Sequence, residues 1–113
     1  MGGFDPDQIQ GWTANYDGTD AVTNQSLKAA PGSGVTLVAT DVLISNDSTA
    51  DITWKLLDGS GGTNLTGTQK LPVDGYLHFQ PKTPIELTAN TALCLTTTGT
   101  SNFSVFVAGH LAE

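Results

Sequence analysis

From residue 35 onward, apolar and polar residues of this chain alternate with a period of two. The alternation is clearest in residues 51–58, where Ile52, Trp54 and Leu56 fall on one side and polar residues on the other. Successive side chains of a β-strand point to opposite faces, so the pattern predicts strands with one buried face. The run 35–45 is apolar on both faces, which predicts one long strand or two strands joined by a bulge.

Clusters of turn-forming residues separate these runs, at 46–49, 58–62 and 71–75. The result is about seven or eight short strands with turn signals every 8–12 residues or so. A chain of 113 residues has the length of one domain and can bury one modest core. Its 17 Thr and 13 Gly suit half-exposed strands and turns. These features predict an all-β fold, an antiparallel β-sandwich that is jelly-roll-like, with residues 35–113 as the sandwich domain.

Residues 1–34 lack a clear hydrophobic period and are interpreted as an extended N-terminal arm. Leaving the large apolar residues of this segment in water costs about 25 cal/mol per Å² of apolar surface. They either fold back onto the domain or anchor a partner, and the sequence leaves both possibilities open. Phe106 is out of phase with Val105 and Val107, so it is predicted to face away from the core. The predicted partner-binding residues are Phe4, Ile9, Trp12, Tyr16 and Phe106.

The charge balance limits the possible partners. The chain carries 4 Lys, no Arg and 11 acidic residues, for a net charge of −7. A nucleic-acid-binding protein needs a basic face, and none can be built here. Anionic membranes are disfavoured for the same reason, and no apolar run approaches the roughly 20 residues of a membrane span. We therefore expect no nucleic acid and no membrane among the partners.

The single cysteine, Cys94, forbids an internal disulfide and a structural zinc site. It lies between two leucines in a strand-like run, which predicts a packed small hydrophobe. The first residues have neither the basic region nor the apolar stretch of a signal peptide. These features favour synthesis in a reducing compartment.

Residues for catalysis or metal binding are sparse. His78 and His110 fall on the polar phase of their predicted strands, and Cys94 lies in no electropositive context. The glycine-rich stretch 58–62 is interpreted as a hairpin turn, because it lacks the ending of a phosphate-binding loop. Four aspartates surround one predicted hairpin. They could bind calcium or simply be solvated turn residues, and their spacing favours solvation because it lacks the pattern of a calcium-binding loop. They are Asp41, Asp47, Asp51 and Asp58. We therefore expect no catalytic residue, metal, cofactor or small-molecule substrate.

The stretch 42–59 resembles a hairpin common in small virion proteins of tailed bacteriophages. In that hairpin, a strand ending in Ser-Asn enters a small polar turn and returns through a strand ending in Leu-Asp-Gly. The likeness extends over residues 35–111 as a pattern of strand and turn types, without a functional residue motif. It is carried further by the stretches 71–75, 79–81, 84–87, 88–93 and 104–110.

The resemblance implies a small β-sandwich or jelly roll without catalytic activity, a capsid decoration or cement protein. Such a protein would associate with itself as a homotrimer and bind the major capsid protein. It would lie on the capsid surface of the virion after synthesis in the host cytoplasm. The alternative is a glycan- or receptor-binding module of a phage fibre or tail, for which Tyr76, His78 and Trp12 are the candidate residues. A small hydrolase is a third class, and no constellation of residues favours it.

Overall fold

The computed structural model describes residues 10–47, 49–99 and 102–113. Their regular secondary structure is β-strand throughout, so these ranges contain no helix that could span a membrane. The strands are β1 Gly11–Gly18, β2 Gln25–Lys28, β3 Thr36–Asn46, β4 Ile52–Asp58, β5 Thr63–Asn64, β6 Gln69–Leu71, β7 Tyr76–Phe79, β8 Ile85–Glu86, β9 Leu93–Thr98 and β10 Phe103–Ala112.

The strands form two antiparallel sheets. The first sheet has the order β1-β10-β3-β7, and β8 also pairs with β3. The second has the order β2-β9-β4-β5, and β6 also pairs with β4. The first four strands alternate between the two sheets. Strand β10 then lies between β1 and β3, and β9 lies between β2 and β4, which is the strand order of a jelly roll. The predicted all-β antiparallel sandwich is confirmed.

The core lies between the inner faces of the sheets. Trp54, Phe103 and Leu95 are among its largest fully buried side chains. The alternation predicted in β4 holds, because Ile52, Trp54 and Leu56 are all buried in this cluster. Burial of apolar surface on this scale is the main force that holds the two sheets together.

Residues 10–34 belong to the sandwich, which corrects the predicted arm of residues 1–34 in its described part. Strand β1 pairs with β10 along its whole length, and β2 pairs with β9. Every second residue of β1 points inward, with Trp12 7% and Ala14 8% exposed. The segment is extended, as expected, but it is extended because it supplies one strand to each sheet.

Strand β3 is one long strand, and its pairing with β10 is irregular. Asp41 lies opposite Ala108, but the next pair on β10 is Gly109 with Ala39, so Thr40 is the extra residue of a bulge. The Thr40 hydroxyl donates to the main-chain oxygen of Ala108 at 3.3 Å. The bulge explains why apolar residues occur on both phases of β3, since it shifts the inward set by one position.

Candidate interaction surfaces

Two of the residues predicted to bind partners fold back onto the domain. Trp12 is buried, and its indole Nε1 donates a hydrogen bond to the main-chain oxygen of His110 at 3.0 Å. Tyr16 is half-buried and packs against Phe103, with ring centroids 5.9 Å apart and a tilt of 40°. The sequence left open whether these residues fold back or anchor a partner. In the structure, both Trp12 and Tyr16 fold back. Phe4 and Ile9 lie outside the described residues.

Phe106 lies on the outer face of the first sheet, as its phase predicted. It is 39% exposed and stands directly opposite Leu43 of β3, which is 42% exposed. Two residues along β3, Ser45 pairs with Tyr76 of β7. At 74%, Tyr76 is the most exposed of the large hydrophobic side chains in the described residues. Because alternate residues share a face, these side chains lie on one side of the sheet. We call Leu43, Tyr76 and Phe106 the outer patch.

Polar groups border the outer patch along β1. Asn15 is the partner of Phe106, and Asp17 is the partner of Ser104 in the same pairing. Together these residues surround an open depression of about 610 Å³. Its lining is Asn15, Asp17, Leu43, Ser45, Tyr76, Ser104, Val105 and Phe106. An apolar centre with a polar rim is the arrangement found in protein interfaces.

A polar corner closes the same face at the end of β7. Gln80 donates through Nε2 to a carboxylate oxygen of Asp41 at 2.7 Å. His78 Nε2 lies 4.0 Å from the same oxygen, and both side chains are partly exposed. This corner supplies polar edge groups beside the apolar patch.

The candidate nucleophile and the two histidines are not brought together. Cys94 lies on β9 in the second sheet, whereas His78 and His110 lie on β7 and β10 in the first. Cys94 is buried, which confirms the predicted packed thiol, and this burial raises its pKa above the ordinary value. A raised pKa disfavours the thiolate that nucleophilic attack requires.

Two of the aspartates considered for calcium accept hydrogen bonds from different parts of the backbone. Asp51 accepts from the Val73 main-chain N–H at 3.1 Å and pairs with Lys70 at 3.3 Å. Asp58 accepts from the Thr88 N–H at 3.0 Å and from its hydroxyl at 2.6 Å. Within the described residues, no three His, Cys, Asp or Glu side chains are grouped closely enough to hold a metal ion.

A second apolar surface opens along one edge of the sandwich, between β7–β8 of the first sheet and β5–β6 of the second. Leu77 and Phe79 face inward, because they pair with the buried Ile44 and Val42. They nevertheless remain 38% and 36% exposed. We call this space of about 380 Å³ the lateral cleft. Its lining is Trp54, Leu65, Thr66, Gln69, Leu77, Phe79, Pro81, Thr83 and Ile85.

Sequence analysis did not single out the other apolar members of these surfaces. Leu43 stands between Val42 and Ile44. The only sequence signal for its position was therefore a run that is apolar on both faces, which does not show which face is exposed. Leu77 and Phe79 lie two residues apart on β7 and share a face. Their exposure depends on how far the second sheet reaches, which no local pattern encodes.

No protein-family model matches this chain, and a search of curated proteins finds no match either. Solved structures to which this chain is similar include PirA, which is 14% identical with a TM-score of 0.40 over 95% of this chain and 97% of PirA. They also include the coat protein of Tobacco streak virus, which is 11% identical with a TM-score of 0.37 over 89% of this chain and 85% of the coat protein. Both TM-scores are too low to carry an argument about function.

Proposed function

We propose that this protein is a structural component of a virion, a decoration or cement protein on the capsid surface of a tailed bacteriophage. The observation that carries the proposal is the outer patch, three large apolar side chains exposed on one face of the first sheet. Apolar groups grouped on one exposed face mark interaction sites more often than scattered ones do. The resemblance of residues 35–111 to small virion proteins supplies the kind of partner.

In this proposal the outer patch binds the major capsid protein. Phe106 and Tyr76 act as anchors, since aromatic residues dominate the energetics of interfaces. The chain has a net charge of −7, so its exterior repels the packaged nucleic acid and favours a neutral or basic protein surface.

The protein stabilises the shell by binding energy alone. A subunit that contacts neighbouring capsid proteins only in the closed shell shifts the equilibrium toward that shell by mass action. Association of the protein as a homotrimer links several weak contacts, so that the second and third engage at high effective concentration. The role needs no catalytic group, cofactor or substrate.

The test is binding to purified capsids stripped of this protein, by cosedimentation at increasing protein concentration. Phe106→Ser is expected to weaken binding about thirtyfold, the lower bound of a hot-spot residue, with an unchanged urea midpoint. Val73→Ser is the matched control, because Val73 is equally exposed at 41% but lies in the turn before β7. Equal binding by the wild type and both variants would show that the outer patch is not the capsid contact.

A glycan- or receptor-binding module of a fibre or tail is the second candidate. The depression beside Tyr76 favours it, because an exposed aromatic ring lies with Asp17 and Asn15 in one open site. Trp12 and Trp54 are both buried, so neither is an exposed platform for a sugar. A glycan array distinguishes the two roles: saturable binding that Tyr76→Ala abolishes supports the second candidate, and an empty array counts against it.

A further inference from the structure

The lateral cleft exposes side chains that the fold directs toward its own interior. Leu77 and Phe79 point to the same side of the first sheet as Ile44 and Val42, which are fully buried. The difference is that β7 lies at the edge of its sheet, and the facing strands β5 and β6 have two and three residues. When a further apolar group fills the cleft, the exposed apolar surface is buried and the free energy falls.

Trp54 lies at the floor of this cleft and is 1% exposed. Its indole Nε1 is buried and has no hydrogen-bond partner in the described part of the chain. The second indole, that of Trp12, is bonded to His110 and does not line the cleft. The two indole N–H groups therefore differ in environment, and we expect the signal of Trp54 to report on occupation of the cleft.

The free edge of β7 is poorly suited to an added β-strand. The strand has four residues, and Pro81 and Pro84 follow it closely. Short edge strands and prolines are features that prevent edge-to-edge pairing. The occupant of the cleft is therefore a group of side chains, and a further strand is disfavoured.

We propose that residues 1–9 of a second copy of this chain occupy the lateral cleft, with Phe4 as the inserted side chain. This segment lies outside the described residues; apart from Met1, Phe4 and Ile9 it consists of two Gly, two Asp, one Pro and one Gln. The lining of the cleft contains no acidic residue, and exposed Lys82 lies between its members Pro81 and Thr83. Asp5 and Asp7 follow Phe4 and complement this lysine. The inference rests on the self-association included in the proposed function.

The position of the chain at residue 10 favours a second copy over the same copy. Gln10 lies beside Leu111 at the β1 edge of the first sheet, whereas the cleft lies at the β7 edge. The two edges are separated by three strand spacings, about 15 Å, and the interior between them is filled by the core. Nine extended residues span up to about 30 Å, which is enough to reach a neighbouring molecule. The direct route to their own cleft is blocked by the core, so within one copy the segment would have to pass around the outside of the sheet.

The experiment uses the full chain with ¹⁵N labelling. Raising the protein concentration is expected to shift the Trp54 indole N–H signal along a saturating curve, while the Trp12 signal stays in place; Trp54→Phe assigns the signals. Phe4→Ala is expected to weaken self-association about thirtyfold by sedimentation and to remove the shift. Gln8→Ala is the matched control in the same segment and should behave as the wild type.

Three results would overturn the inference: a Trp54 signal that does not depend on concentration, a Phe4→Ala chain that associates normally, or a shift that survives this change. Failure here is distinct from failure of the proposed function. If Phe4→Ala changes nothing and Phe106→Ser still weakens capsid binding, the cleft proposal alone fails. If the Phe106 variant binds capsids normally while the Trp54 shift depends on Phe4, the capsid contact alone fails.

Discussion

The indole Nε1 of Trp12 donates a hydrogen bond to the main-chain oxygen of His110 at 3.0 Å, between residues 98 positions apart. The contact joins the first described strand to the last, and the indole itself is 7% exposed. A side chain in this position contributes to the stability of the folded monomer, because its surface is already removed from water.

Trp12→Ala is therefore expected to lower the free energy of unfolding by about 3–5 kcal/mol, the cost of truncating a buried aromatic residue. Trp12→Phe keeps most of the apolar volume and loses the hydrogen bond, so its loss should be smaller by about half. Urea denaturation of both variants measures the difference. A Trp12→Ala protein that unfolds at the wild-type midpoint would contradict the position of this residue in the core.

The alternation after residue 35 was sufficient to predict the sandwich, because β4, β9 and β10 repeat large apolar residues at every second position. The inward set of β1 is Trp12, Ala14, Tyr16 and Gly18, of which two are small. The alternation is present, but small inward residues make the contrast between its two faces weak. The strand was therefore interpreted as part of an arm. The strand becomes recognisable only from its pairing with β10, which lies about 90 residues away.

The outer patch was half predictable for a related reason. The phase of Phe106 against Val105 and Val107 shows which face it occupies, and the structure agrees. That Leu43 lies opposite Phe106 depends on the pairing of β3 with β10, including the bulge at Thr40. Register between strands distant in sequence is set by the whole core, so a single strand cannot reveal it.

Gly109 is expected to tolerate no side chain. A Cβ atom there would collide with the main-chain oxygen of Val38 and would lie 2.9 Å from the Trp12 ring. Gly109→Ala should therefore lower the free energy of unfolding by about 3 kcal/mol, at the upper end of the range for overpacking. Thermal unfolding followed by circular dichroism measures the loss.

Gly11→Ala is the matched control for this change. A Cβ at Gly11 would have the oxygen of Gly109 as its nearest neighbour, at 3.6 Å, which is an ordinary contact. Its effect should stay within about 0.5 kcal/mol. Similar losses in both variants would show that β10 does not lie as close to β3 at Gly109 as described.

Asn46 is expected to hold the end of β3 to the neighbouring turns. It is 1% exposed, and its Nδ2 lies 2.8 Å from the main-chain oxygen of Ala50 and 3.2 Å from those of Leu71 and Pro72. The two N–H groups of the amide therefore serve three acceptors, one of them shared. Asn46→Ala leaves these oxygens without that donor and should cost about 2 kcal/mol. Asn46→Asp should cost more, because a carboxylate oxygen then faces carbonyl oxygens. Urea midpoints that rank the aspartate above the alanine variant would contradict this arrangement.

Asp51 is expected to make part of the stability depend on pH. The hydrogen bond from the Val73 N–H, and then Lys70, lower the pKa of its carboxyl below the ordinary value of 3.8. A pKa that is lower in the folded than in the unfolded state stabilises the fold above the unfolded value, and this contribution is lost as the pH falls through the folded value. Asp51→Asn removes the charge but keeps an oxygen that can accept from Val73.

The wild type should therefore be more stable than Asp51→Asn by a constant margin from pH 7 down to about pH 5, and this margin should close as the pH falls below 3.8. The two proteins differ only at residue 51, so the difference between their urea midpoints isolates Asp51. Lys70→Gln removes only the ion pair, which is exposed and screened by salt. At pH 7 it should therefore lower the urea midpoint less than Asp51→Asn does. A margin that does not narrow as the pH falls below 3.8, or that widens, would show that this carboxyl is not the group that titrates.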